Sequence, residues 1–363
     1  MTTNLYQKIV TALAKTFINI EEVARILALA VESGKNVLLW GPGGHGKSEM
    51  VSAALATVTS DQNVFVQSFG EGMDEATLWG GLDFKALEAE KVMRYFPENS
   101  FLASEFAVFE EMFDAPASVL LALKDTLTSK RLRKGSQSYA MKTKVVIALT
   151  NKDPSEISEL GPAAHALIER FPLQLKVSWK TYTAQDYLKL FEKVAPRLPG
   201  ADLNGSSRIL AEMIAKAGES GEIISPRSAV HALGVVKASA ALRGSRIVEK
   251  QDLLDLRFID GMEGLTENLQ KELDAAAERA AAEARVVDAE RKLQSLLSSY
   301  DDAKHAASPI KLLQAAKALN AFGDEVASLK VTDGLTDRRK RMRDAVSEKA
   351  AEAQKLALEN TRV

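Results

Sequence analysis

The sequence predicts an α/β protein: a parallel sheet covered by helices, built around a phosphate-binding loop, with a small all-helical domain and a helical extension behind it. Three observations carry that prediction. Short apolar runs alternate with helical stretches over the first half of the chain, one such run ends in a glycine-rich loop followed by Lys and Ser, and the strand signal stops after about residue 177. Strands that alternate with helices need crossover connections, and crossovers place helices on both faces of a parallel sheet.

Residues 5–33 carry apolar side chains at helical spacing, first Ile9, Leu13 and Phe17, then Val23, Ile26, Leu27 and Ala30. The stretch "INIEE" separates the two helices. The period then changes. "NVLLW" (36–40), "VFVQSF" (64–69), "FAVFE" (106–110) and "KVVIALT" (144–150) are continuous apolar runs of the kind expected for strands buried on both faces. Helices are expected between them at 48–58, about 74–79 and 116–129. "KRLRKGSQSYAMK" (130–142) has Gly135 and Ser136 between two partly alternating arms, which predicts a hairpin before the fourth strand.

After "FPLQLKV" (171–177) the chain reads as helical through 258, with a break at "APRLPGADLNG" (195–205). From about 262 the composition shifts to Ala, Glu, Lys, Leu and Arg. There Leu269, Leu273, Ala276, Ala280, Ala284 and Val287 recur at three- and four-residue steps, which predicts a narrow coiled-coil seam. Stretches 309–329 and 336–361 are its expected partners. These changes divide the chain into domains at 1–178, 179–260 and 261–363.

The chemistry starts in "LLWGPGGHGKSEMV". Gly41, Pro42, Gly43, Gly44, His45, Gly46, Lys47 and Ser48 fit G-x-x-x-x-G-K-[ST], with Glu49 next in the helix that follows. Glycines let backbone N–H groups turn around an anion, the helix adds its positive end, Lys47 reaches the outer phosphates and Ser48 ligates Mg²⁺. Hydrolysis needs a carboxylate on a second strand, and "FAVFEE" supplies Glu110 for the metal side and Glu111 for the attacking water. Asn151, just past the strand in "ALTNKD", is placed either to polarise that water or to form a turn.

Composition narrows the field. The 47 basic and 49 acidic side chains nearly cancel, so no global field draws the chain onto nucleic acid or a membrane. Cysteine is absent and the four histidines lie far apart, which argues against a metal held by protein ligands alone. The N-terminus has no basic region leading into an apolar core, and no apolar run is long enough to span a bilayer. A cytoplasmic location is expected.

Read together, these segments resemble an AAA+ ATPase of the MoxR family, near its RavA-like branch. The resemblance runs over about residues 5–258: "GPGGHGKS" as Walker A, "FAVFEEMFDAPASVLLALKDTLTSKRLRKG" as Walker B with its helix and hairpin, "VVIALTNKDP" as sensor 1, "ALIERFPLQL" as the arginine-finger segment and "ISPRSAVHALG" within the sensor 2 lid helix. "MDEATLWGGLDFKALEAEKVMRYFPENSFLASE" (73–105) is similar to the family's insert. The resemblance implies that Asn151 is the sensor 1 residue, that Arg170 reaches a neighbouring subunit's γ-phosphate, and that Arg227 is the sensor on the lid. Cationic clamps suit the charge on a transferring phosphoryl group. Two departures stand out: Glu110 where the family has Asp, and "TNKDP" for the commoner "TNP".

The resemblance further implies a hexameric ring that uses ATP and Mg²⁺ to remodel a client protein, often with a partner carrying a von Willebrand A-type domain. The hairpin 130–142 or the insert at 73–100 is the expected client contact. Lys130, Arg131, Arg133 and Lys134 also admit a less favoured reading, a ring that handles DNA or RNA. A third is an ATP-stabilised assembly with slow hydrolysis at Glu110. The C-terminal helices (262–361) are expected to pack within the chain, or to serve as a partner-docking arm or a self-association device.

Overall fold

The computed structural model describes residues 4–361 except 136, 178–181, 220 and 223. The expected boundary at 178/179 therefore lies outside the described residues. Helices α1 (Leu5–Leu13) and α2 (Glu21–Ser33) precede strand β1 (Val37–Trp40), and α3 (Lys47–Leu55) follows the glycine-rich loop. Then come β2 (Val64–Ser68), α4 (Glu75–Leu78), α5 (Phe84–Glu90), β3 (Phe106–Glu110), α6 (Ala117–Ser129), the hairpin of β4 (Arg131–Lys134) and β5 (Gln137–Ala140), β6 (Val145–Thr150), α7 (Pro154–Glu159), α8 (Pro162–Ile168) and β7 (Leu173–Lys176).

Five strands form one sheet in the order β2-β3-β6-β1-β7, and every pairing in it is parallel. Three of the apolar runs, in β1, β3 and β6, are continuous because both faces are covered. The run at 64–69 departs from that expectation, since β2 lies at the sheet edge, where less helix covers it, and Val66 is 59% exposed. Alternate residues go to opposite layers. Val37, Leu39, Val108, Ile147 and Leu149 pack with α1, α2 and α3, whereas Leu38, Ala107, Phe109, Val146 and Ala148 pack with α6 and α8. In such a sheet a ligand site forms where the strands' carboxyl ends open between diverging crossovers. The loop after β1, the Glu pair after β3 and Asn151 after β6 all leave the sheet at those ends.

Buried Asn36 ties three strands together at the opposite end. Its amide nitrogen donates to the carbonyl of Arg170 (2.9 Å) and its oxygen accepts from the Val146 N–H (3.0 Å). Beyond β7 the chain is helical: α9 (Ala184–Val194), α10 (Ser206–Glu219), α11 (Pro226–Leu242) and a 3₁₀ stretch, Lys250–Phe258. A Thr183–Asp186 capping box starts α9. Arg243 holds the Asp252 carboxylate by two bonds of 3.0 and 2.9 Å, and these bonds keep that buried acid well below the usual carboxylate range.

The chain divides into two compact units, Met1–Thr266 and Glu267–Val363. The second holds most of α12 (Glu263–His305) with α13 (Pro309–Ser328) and α14 (Thr336–Thr361), which fold back on it. Here the structure corrects the expected seam. Leu269 of that seam is buried and Leu273 half-buried, but Ala276, Ala280, Ala284 and Val287 are exposed, and the stripe buried against α13 and α14 runs through Val286, Ala289, Leu293 and Tyr300. Both stripes have helical spacing. The second carries the larger side chains and so removes more apolar surface from water. Leu312, Leu319 and Phe322 of α13 and Met342 and Val346 of α14 complete that core.

Near one end of this bundle Glu352 accepts from Lys304 (2.8 Å) and Lys349 (2.7 Å), and these bonds pull its carboxyl down to about 2. A carboxylate whose folded pKa is depressed adds stability at pH above the unfolded value of about 4.5 and loses it as the pH falls towards 2. Circular dichroism melts of the full chain should therefore show a wild-type advantage over Glu352→Gln at neutral pH that fades between pH 4.5 and 2. A pH-independent difference would contradict this.

Candidate nucleotide-binding site

The loop 41–46 takes a path that side chains obstruct. Gly41 has φ +140°, and a Cβ there would lie 2.4 Å from the Val177 carbonyl oxygen. Gly44 has φ +78°, and its Cβ would lie 2.7 Å from Ser225 Oγ, at the start of α11. Only glycine combines that backbone with that proximity. The loop delivers the chain into the N-terminus of α3, whose first N–H groups lack intrahelical acceptors and favour an anion. His45 is buried beside it. Its Nδ1 donates towards the carbonyls of Gly43 (2.9 Å) and Pro42 (3.2 Å), and burial lowers its pKa.

Lys47, also buried, folds back over the loop. Its ammonium donates to the carbonyls of Gly41 (2.6 Å) and Pro42 (2.9 Å) and to Asn151 Oδ1 (2.9 Å). Burial lowers its pKa most, and the negative charge of Glu111 works against that shift. Asn151 spends its other end on Glu111: Nδ2 donates to Oε1 at 2.8 Å and the backbone N–H to Oε2 at 3.3 Å. A single amide thus joins the loop lysine to the carboxylate. Glu111 itself has φ +49°, a left-handed bend that turns the chain sharply at the end of β3.

Glu110 points elsewhere. It and Ser48 line one open cleft of about 720 Å³ between α3 and the outer strands, together with Glu49, Ser52 and Asp61. Ser68 Oγ donates to Glu110 Oε2 at 3.2 Å. The Ser48 hydroxyl and the Glu110 carboxylate are hard oxygen donors of the kind Mg²⁺ takes alongside phosphate oxygens and water, and among the described residues no three acidic or imidazole side chains converge to hold a cation by themselves. Across the loop, Arg227 lies 3.6 Å from Glu49 Oε1 and donates its backbone N–H to the Gly44 carbonyl at 3.2 Å. Lys47, Ser48, Glu110, Glu111, Asn151 and Arg227 therefore gather around one loop.

Arg170 stands apart from them. Its guanidinium donates to Thr128 Oγ1 on α6 (3.0 Å), to the Ala166 carbonyl (3.1 Å) and to Glu169 (2.8 Å). The "KD" of "TNKDP" also finds a local purpose: Lys152 pairs with Asp114, and Asp153 caps α7 in a box with Glu156. Sequence reading missed Asp61 and Ser68, which meet Glu110 only through the fold. It also missed the grip of the α9 end on the end of α1, where Lys193 donates to the Ala14 carbonyl (2.5 Å) and Arg197 to Thr16 Oγ1 (2.8 Å). Nothing in the local pattern marks these side chains.

A family profile described as the MoxR domain in the MoxR-vWA-beta-propeller ternary systems matches residues 4–191. The chain belongs to the MoxR family of AAA+ ATPases. The glycine loop, the Glu pair and Asn151 all lie within the matched span. Several solved structures are similar to this MoxR chain at low identity. One is a Cytophaga hutchinsonii protein assigned as an ATPase: 17% identity over 70% of this chain and 85% of that one, TM-score 0.41. Another is the RuvB Holliday junction branch migration motor of Thermotoga maritima: 19% identity, 66% and 69% coverage, TM-score 0.44. A third is NtrX of Brucella abortus in complex with ATP: 13% identity, 62% and 50% coverage, TM-score 0.45.

Proposed function

We propose that this MoxR chain is a Mg²⁺-dependent ATPase that assembles into a hexameric ring and uses ATP hydrolysis to remodel a protein client. The observation that carries this reading is the Lys47–Asn151–Glu111 chain at the mouth of the glycine loop. It sets a cation for the phosphates and a base for water within one hydrogen-bonded unit. In this reading Glu111 takes the proton of the attacking water, Asn151 holds that carboxylate, and Gly41 to Glu49 cradle the nucleotide. Arg227 senses the outer phosphate from the lid. Ser48 and Glu110 would hold Mg²⁺, which when bound neutralises charge on the phosphates.

Arg170 is the finger supplied to the next protomer. Its separation from the loop of its own chain supports this, because an arginine acting in trans has no business at its own site. The lid, taken as 179–260, carries Arg227 and would follow nucleotide state; 261–363 would be an appended helical domain. The match to the MoxR domain of MoxR-vWA-beta-propeller systems supports a partner with a von Willebrand A-type domain. Among the described residues no helix is long and apolar enough to cross a membrane.

The test combines turnover with assembly. Full-length protein should release phosphate from ATP only with Mg²⁺, and sedimentation should show a nucleotide-dependent shift to a ring-sized species. Assembly on ATP with no turnover above that of Glu111→Gln would instead favour the structural reading, in which nucleotide only stabilises the oligomer.

A further inference from the structure

The motif G-x-x-x-x-G-K-[ST] leaves position 45 open, and any side chain that clears the loop satisfies it. Here it is a histidine, 7% exposed and turned back onto its own loop. Nδ1 lies 2.9 Å from the Gly43 carbonyl oxygen and 3.2 Å from that of Pro42. A carbonyl can only accept, so Nδ1 carries the ring proton. Burial lowers the pKa of this imidazole below 6.5, so at neutral pH the ring is uncharged and that N–H is its single donor.

In a planar trans peptide the C=O and N–H bonds point opposite ways. Drawing the carbonyls of Pro42 and Gly43 to the ring therefore turns the N–H groups of Gly43 and Gly44 to the other side of the loop. Left-handed Gly44 and Gly46 (φ +78° and +72°) flank His45, and backbone of alternating hand makes successive N–H groups converge on an anion. The next carbonyl, that of Gly44, takes the Arg227 N–H at 3.2 Å, so the ring governs the two peptides before it. Lys47 also donates to the Pro42 carbonyl, yet its three hydrogens are all engaged with protein, and any that turns to phosphate leaves an acceptor behind. The imidazole faces no such choice.

We propose, resting on the nucleotide-binding reading of this loop, that His45 is a positioning residue whose imidazole holds the peptide bonds 42–43 and 43–44 so that their N–H groups meet the phosphates already aligned. It touches no phosphate itself. Alignment fixed before binding is ordering that the ligand does not have to impose, so the effect of the ring falls on affinity for the phosphates. The base at the other end of the nucleotide is indifferent to it.

The test uses the full chain, fluorescence anisotropy of a labelled ATP analogue, and its displacement by inorganic tripolyphosphate, which has phosphates and no base. Two variants differ in where they put an amide. In His45→Asn the amide nitrogen leaves Cγ as Nδ1 does and reaches the carbonyls; in His45→Gln it stands one bond further out, where Nε2 is, and misses them. His45→Gln should weaken the analogue and tripolyphosphate alike by about tenfold, or about 1.4 kcal/mol, and His45→Asn should stay within about threefold of wild type for both. His45→Ala, which lacks the donor without adding bulk, carries the same tenfold expectation, and circular dichroism melts report which variants are folded. Wild-type affinity in folded His45→Gln and His45→Ala, a loss in His45→Asn as large as theirs, or a loss for the analogue that tripolyphosphate does not share overturns the proposal. A wild-type protein that binds neither probe removes the nucleotide reading along with it, whereas wild-type binding with unaffected variants removes this role of His45 alone.

Discussion

Glu111→Gln should bind ATP as the wild type does and hydrolyse it about 10²–10⁴-fold more slowly, the range that a positioned general base supplies. Gln keeps an oxygen that can accept from Asn151 Nδ2, so the 2.8 Å bond survives. Its amide nitrogen cannot accept from the Asn151 backbone N–H, which now faces Oε2, nor can it take a proton from water. The left-handed backbone at this position strains Gln no more than Glu. Phosphate release under single-turnover conditions, with a fluorescent nucleotide titration alongside, separates binding from chemistry. Turnover within threefold of wild type would remove Glu111 from the role of base. The exchange also bears on Glu110. If Glu110 were the base instead, Glu111→Gln would leave chemistry nearly intact.

Arg170→Ala should lower turnover about 10³-fold, in line with the loss of a transition-state cation supplied from outside the site. Its own fold should lose little, about 1 kcal/mol for the bonds to Thr128 and the Ala166 carbonyl. The decisive measurement is a mixture. An Arg170→Ala protomer has an intact loop but no finger, and a Glu111→Gln protomer has a finger but no base. Mixed in equal amounts, they should recover about a quarter of wild-type turnover, the fraction of complete composite sites in a random ring. Two inactive variants that stay inactive together would place Arg170 outside any neighbour's site. Full turnover by Arg170→Ala alone would say the same.

The parts that sequence made legible are contiguous or period-bound. Gly41 to Ser48 is one unbroken stretch whose spacing dictates a turn around an anion, and three of the four apolar runs mark buried strands, whereas the fourth, β2, is an edge strand that its apolar run alone did not distinguish. From these the positions of Glu111 and Asn151 at strand ends follow. Their meeting does not. Lys47 and Asn151 are 104 residues apart and touch only because β1 and β6 are neighbours in the sheet order. Asp61 reaches the cleft, and Ser68 reaches Glu110 at its edge, for the same kind of reason. The seam through Ala276 and Ala280 shows the opposite case. Helical spacing alone permits more than one buried stripe, and the choice fell to the stripe holding Val286, Leu293 and Tyr300.

What the residues settled unaided is therefore local: where backbone turns, which runs are apolar, and which side chains could hold charge near a phosphate. Tertiary packing settled who meets whom. Asn151 became a bridge rather than a turn former, Lys152 and Asp153 became a pair and a cap, and the left-handed bend at Glu111 turned that carboxylate to Asn151 while Glu110 stayed with Ser68 at the cleft. Strand and helix periods are properties of a few neighbouring residues. Distances across a sheet depend on strand order, which the whole chain decides at once.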